Sequence, residues 1–202
     1  VFRALGKDRR PEVTVVISGS DGIADTPDRS YQDLLDLNED GRGVFLGAGA
    51  SWLNDRTSWR IGAWLRNDGQ DIEGDMTDDE VNYGVYGVFG WQSGANALNV
   101  RAGMANSYAS VAERFIAMAY QRNTRFGVLG IGVADTRIAR DLVGPGRNDA
   151  LDSEIYFRIP ILGDSGHITP SVQYVEVPTI EPSEDGSDSS AIVAGLRFHW
   201  AF

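Results

Sequence analysis

The chain has no cysteine, only 2 histidines and 7 prolines among its 202 residues. Without thiols there is no disulfide framework and no thiolate metal or redox centre. Positive charge is also scarce. Its 18 Lys and Arg face 29 Asp and Glu, a net charge of −11, which argues against nucleic acid as a partner because phosphate binding needs concentrated positive charge. Long apolar runs are missing as well. The longest, Phe115–Tyr120, falls far short of the roughly 18–20 residues that carry an α-helix across a bilayer. A helical membrane protein is excluded, but a membrane β-barrel is not, since its strands need only about 9–11 residues and only alternate residues meet lipid.

What is present is alternation. Hydrophobic residues make up 42% of the chain, yet mean hydropathy is only −0.24, and 24 glycines speak against helices as the main element. Period-2 patterning, the primary strand signal, is clearest at Ser190–Phe202. There Ile192, Ala194, Leu196, Phe198, Trp200 and Phe202 form an apolar row, while Val193, Gly195, Arg197, His199 and Ala201 form a mixed one. The pattern recurs at Ile155–Ile161, Leu129–Val133, Leu98–Met104 and Trp59–Leu65, and more weakly at Val13–Gly19, Val44–Trp52, Tyr83–Trp91, Arg114–Tyr120 and Ile168–Val175. This predicts an all-β chain of about ten antiparallel strands, an even number as bacterial single-chain membrane barrels have. No strand pattern is evident in Val1–Arg10.

The connections alternate in length. With the last strand ending in the periplasm, long outer loops should alternate with short inner turns. Backwards from that strand, Pro178–Ser189 is long, Gly163–His167 short, Asp135–Leu151 long, Asn123–Gly127 short and Asn106–Glu113 longer. Gln92–Ala97 is short, Asn67–Asn82 long, Leu53–Ser58 short and Ser20–Gly43 very long, so all nine connections fall in phase. Aromatics gather near strand ends (Trp52, Trp59, Trp91, Phe126, Trp200 and Phe202), as in the girdle that settles at bilayer headgroups. The reading is a single transmembrane β-barrel domain over residues 1–202, or the C-terminal part of one, in a bacterial outer membrane. A soluble sandwich, with the same rows buried in a core, is the competing reading.

An enzyme is not expected. The two imidazoles, His167 and His199, fall at the predicted periplasmic end, and Gly-x-Ser-x-Gly, His-Glu-x-x-His and phosphate-binding glycine loops are absent from the sequence. No cofactor is implied. Asp36, Asn38 and Asp40, followed by Gly41, reproduce the opening of a calcium loop, but Gly47 stands where the bidentate Glu belongs. They form a weak calcium candidate, and no other metal site is suggested. The loops at Asp68–Glu80 and Glu176–Asp188 are acidic, suited to solvation or to divalent cations that bridge to lipopolysaccharide.

Two features resemble known families. Alternate apolar residues leading to a terminal aromatic (Leu196, Phe198, Trp200 and Phe202) look like the signal read by the outer-membrane barrel-assembly machinery. In addition, Ser153-Glu154-Ile155-Tyr156, Thr169-Pro170-Ser171-Val172-Gln173-Tyr174 and Ala194-Gly195-Leu196-Arg197 are similar to motifs of the carbohydrate-selective, OprB-type porins. Tyr83-Gly84-Val85-Tyr86-Gly87 and Gly127–Val133 look similar too. The resemblance implies a porin barrel of about sixteen strands, so ten strands fit a shortened relative or a C-terminal portion. Closed alone, ten strands would leave a lumen largely filled by side chains.

A sugar-favouring pore needs flat rings against sugar C–H faces and polar groups that replace hydration yet release the solute. The mixed rows supply Arg60, Trp64, Arg66, Tyr86, Asn99, Arg101, Glu154, Arg158, Gln173 and Arg197. Arginine suits the task through its planar set of donors, and the resemblance singles out Glu154, Gln173 and Arg197. The expected function is passive diffusion of small hydrophilic solutes, carbohydrates above all. The expected partners are outer-membrane lipid, lipopolysaccharide and small-molecule sugars, with a homo-oligomer or other envelope proteins also open. Pairing of these arginines with carboxylates as interior bracing is equally compatible, and a plugged structural or adhesive barrel that binds a partner through its acidic loops is the alternative function.

Overall fold

A computed structural model describes residues 2–4, 11–21, 42–67, 81–107, 110, 112–138, 149–161, 165–177 and 189–200. They form one antiparallel sheet in sequence order: β1 (Phe2–Ala4), β2 (Glu12–Asp21), β3 (Arg42–Leu53), β4 (Thr57–Arg66), β5 (Asn82–Ser93), β6 (Asn96–Ala105), β7 (Ala112–Thr124), β8 (Gly127–Ile138), β9 (Asp149–Ile161), β10 (Gly166–Val177) and β11 (Ser189–Trp200). The ten long strands are those of the sequence pattern, most of them longer than it; Leu129–Val133, for instance, lies within the 12 residues of β8. Strand β1 lies where the sequence showed no pattern and pairs with Val13–Val15. Among the described residues no ladder joins β1 to β11.

Hairpin turns explain why neighbours in sequence are neighbours in the sheet. Strands β5 and β6 are joined by Gly94-Ala95, and β7 and β8 by Arg125-Phe126. Gly94 adopts φ +55°, a conformation that glycine accepts without steric cost. At the β3–β4 turn the Asn54 amide donates to the Thr57 carbonyl at 2.8 Å. These short turns, with the link after Ile161, share one end of the sheet. His167, expected in a turn, belongs instead to β10, directly opposite His199, with the rings stacked 4.7 Å apart.

Directly paired residues of an antiparallel sheet project on the same side, so the register assigns every face. One row runs Ala194–Val172–Ile155–Ile131–Tyr120–Leu98–Trp91, and its counterpart on the other side runs Val193–Gln173–Glu154–Gly132–Ala119–Asn99–Gly90. The first face is apolar and the second mixed. Along the short-turn end of the apolar face Trp52 stacks with Trp59, centroids 6.0 Å apart, and Phe89 meets Trp59 at a tilt, centroids 4.5 Å apart.

A sandwich would bury the apolar face. Among the described residues the buried hydrophobic is Ala150 alone, whereas Ile131 is 53%, Leu196 57% and Phe198 69% exposed. The described residues form no hydrophobic core for this face to join, so the face needs an apolar medium beyond them.

Candidate functional site

The mixed face gathers all ten residues that the sequence pattern proposed for it. Arg60 and Trp64 of β4 pair with Val88 and Gly84, and Tyr86 pairs with Gly62. Arg101 pairs with Val88, and Asn99 with Gly90. Arg66 pairs with Phe45, Arg158 with Val128, Glu154 with Gln173, and Arg197 with Thr169. By this register they share one side of the sheet. The sequence does not show how they cluster across it.

Glu154 is the centre of one cluster. Its Oε1 accepts from Gln173 Nε2 at 3.1 Å and from Arg197 Nη2 at 2.5 Å, joining the three residues that the porin-like motifs had singled out. Arg197 is thus braced by a carboxylate. Arg101 is held otherwise: its Nε donates to Asn99 Oδ1 at 2.8 Å, and the Asn99 amide donates to the Phe89 carbonyl at 3.4 Å. Among the described residues Arg60, Arg101 and Arg158 form no ion pair with a carboxylate.

Between the clusters lies a trough of about 420 Å³. One row of it reads Arg101–Ala117–Ala134–Asp152 and the next Asn99–Ala119–Gly132–Glu154. Strands lie about 4.8 Å apart, so the basic rim on β6 and the acidic rim on β9 stand about 14 Å apart over a floor of Ala and Gly. Asp152 was not anticipated as a site residue, although its even spacing from Glu154 was a usable signal.

The aromatic side chains of this face lie flat on the wall, over glycines. A Cβ added at Gly62 would meet the Tyr86 ring at 2.6 Å, and one at Gly130 would meet the Tyr156 ring at 2.2 Å. Gln121 holds the Tyr156 hydroxyl by donating to it. Trp64 covers Gly84 in the same way and stacks with Phe45, centroids 6.3 Å apart. Tyr156 and Gln121 were also missed as site residues, because their partnership spans three strands and depends on register.

Leu196, Phe198 and Trp200 lie on the apolar face of β11, opposite Pro170, Ile168 and Gly166. Phe202, the calcium candidates Asp36, Asn38 and Asp40, and most of the acidic loops lie outside the described residues.

Compared with solved structures, the chain superposes on the high-pH structure of Pseudomonas putida OprB with a TM-score of 0.72 and 15% identity, over 99% of this chain and 57% of that one. The fold is that of the OprB barrel. No family model and no curated protein matches the sequence. The chain spans a little over half the length of OprB, so its sheet corresponds to part of that barrel wall. At this identity the likeness is one of fold.

Proposed function

We propose that the sheet is wall of an outer-membrane porin, its apolar face toward lipid and its mixed face lining a channel for small hydrophilic solutes, carbohydrates foremost. The observation that carries the proposal is the division of faces along the middles of the strands. Among the described residues one side meets no protein core, and the other carries Arg60, Arg101 and Arg158 without a carboxylate partner, Arg101 at the rim of a trough floored by small residues. Facing basic and acidic rims polarise the space between them, and hydroxyl-rich solutes exchange hydration for such donors and acceptors without tight binding. Aromatic rings seated on glycines leave that space open and offer it flat faces. The OprB fold supports the barrel, and the terminal row Leu196, Phe198 and Trp200, with Phe202, is read here as the assembly signal. The arrangement serves diffusion rather than catalysis.

Single-channel recording of the purified protein tests this. Stepwise conductance that falls as a sugar series is added is the expected result; a protein that inserts but never conducts would instead be a plugged barrel acting through its loops. Two variants refine the assignment. Arg197→Ala leaves Glu154 without its cation and should raise cation over anion permeability. Because Arg197 is 60% exposed, it should cost less than about 1 kcal/mol of stability. Arg158→Ala should shift selectivity the same way. If both variants keep wild-type conductance, selectivity and sugar block, these arginines lie off the solute path.

A further inference from the structure

The apolar face departs from its pattern most densely in one place. At the long-loop ends of β7, β8 and β9, Arg114 stands opposite Arg137, and Arg137 opposite Asp149. One step lower, Asp135 lies between Ile116 and Leu151. All four charged residues are therefore on the lipid side. Arg114 Nη2 donates to Asp135 Oδ1 at 3.0 Å, and Arg137 Nε lies 3.2 Å from Asp149 Oδ1 and 3.4 Å from Glu113 Oε1. Those last contacts have the proximity of ion pairs without hydrogen-bond alignment: Arg114 Nε, Arg137 Nε and Asp149 Oδ1 are buried and lack hydrogen-bond partners.

Such a cluster is not simple bracing. Two arginines directly opposite repel each other, and an outward charge at mid-bilayer costs about 2–4 kcal/mol, falling to about 0–1 near the interface. The position is therefore tolerable only at headgroup height. Immediately below, the apolar face carries a groove of about 410 Å³. Its central row runs Met118–Val133–Ser153–Tyr174–Ile192, and the small Ser153 makes the dip between Val133 and Tyr174. A charged head site above an apolar channel has the shape of an amphiphile.

Resting on the membrane reading above, we propose that this strip binds lipid A of the outer leaflet. The lipid phosphate sits against the guanidinium groups of Arg114 and Arg137, and an acyl chain lies in the groove over Ser153. Guanidinium groups match phosphate geometry with paired donors. The adjacent carboxylates hold the two arginines in place and accept a divalent cation shared with the phosphate.

The test titrates the full-length protein in mild detergent with fluorescent diphosphoryl lipid A, and repeats it with dephosphorylated lipid A and with inorganic phosphate as competitor. Heat-modifiable migration confirms a folded barrel in each sample. Wild type should bind diphosphoryl lipid A, inorganic phosphate should not displace it, and removal of the phosphates should abolish binding. R114S/R137S should weaken binding by about tenfold or more, the scale of one charge-assisted hydrogen bond, while single-channel conductance stays unchanged. S153F fills the groove and should weaken binding independently, so either variant alone decides. Equal binding of dephosphorylated lipid A, full competition by inorganic phosphate, or wild-type affinity in a folded variant would overturn the lipid site and leave the porin reading standing. A wild-type protein that fails to enter bilayers would overturn both.

Discussion

Ile131→Arg should destabilise the folded barrel by about 2–4 kcal/mol, the measured scale for a cation forced onto the lipid side near the middle of a bilayer. Ile131 sits mid-strand in β8 on the apolar face, between Tyr120 and Ile155, and among the described residues it is 53% exposed. Its guanidinium would have neither water nor a carboxylate in that row. Ala119→Arg is the control. Ala119 pairs with Gly132, the next residue along β8, and with Asn99, so it lies at similar depth but on the opposite side. That variant should fold as wild type, narrow the trough and favour anions over cations. Urea unfolding in lipid vesicles measures the first effect and bilayer recording the second. If the two substitutions destabilise equally, the assignment of faces is wrong.

The second large effect is expected at Gly130. A methyl group there would lie within 2.2 Å of the Tyr156 ring, well inside van der Waals contact. The ring cannot simply swing aside, because Gln121 holds its hydroxyl. Gly130→Ala should therefore cost about 1–3 kcal/mol, the usual penalty for overpacking. Adding Tyr156→Ala should recover part of the loss, since residues in direct contact do not act additively. Unfolding midpoints of the single and double variants give the coupling directly. Additive losses would show that the ring does not rest on this glycine. In a conducting channel Gly130→Ala should also reduce sugar passage, as the displaced ring enters the trough.

The sequence carried most of the architecture because one physical fact was repeated ten times: a strand between lipid and water must alternate. The row Ile192, Ala194, Leu196, Phe198 and Trp200 needed no partner to be read, and the turns at Asn54, Gly94 and Phe126 placed the hairpins. Strand β7 was harder. Ala117 and Ala119 contrast little with Ile116 and Met118, and a bulge between Ala112 and Arg114 shifts the register. The three-residue β1 is too short for periodicity to show.

The site was legible by face but not by partner. Parity put Arg101, Glu154 and Gln173 on one side. Which arginine meets which carboxylate depends on register across strands, and register is absent from a single strand's pattern. That is why Arg197 could be named while its bond to Glu154 could not, and why Tyr156 and Asp152 were passed over. The lipid-side charges at Arg114, Asp135, Arg137 and Asp149 are a different case. They break the apolar pattern, so from sequence Asp135, Arg137 and Asp149 read as loop, while Arg114 opens a weak strand pattern.

The tryptophans turn the fold into an optical gauge. Of the protein's five, Trp52, Trp59, Trp91 and Trp200 all lie on the apolar face near the short-turn end, and Trp64 alone belongs to the other side. In an inserted barrel, nearly all intrinsic emission comes from one leaflet. Brominated lipid confined to that leaflet should quench most of it, while aqueous iodide should reach Trp64 alone. Depth and orientation can thus be followed during insertion without attaching a dye.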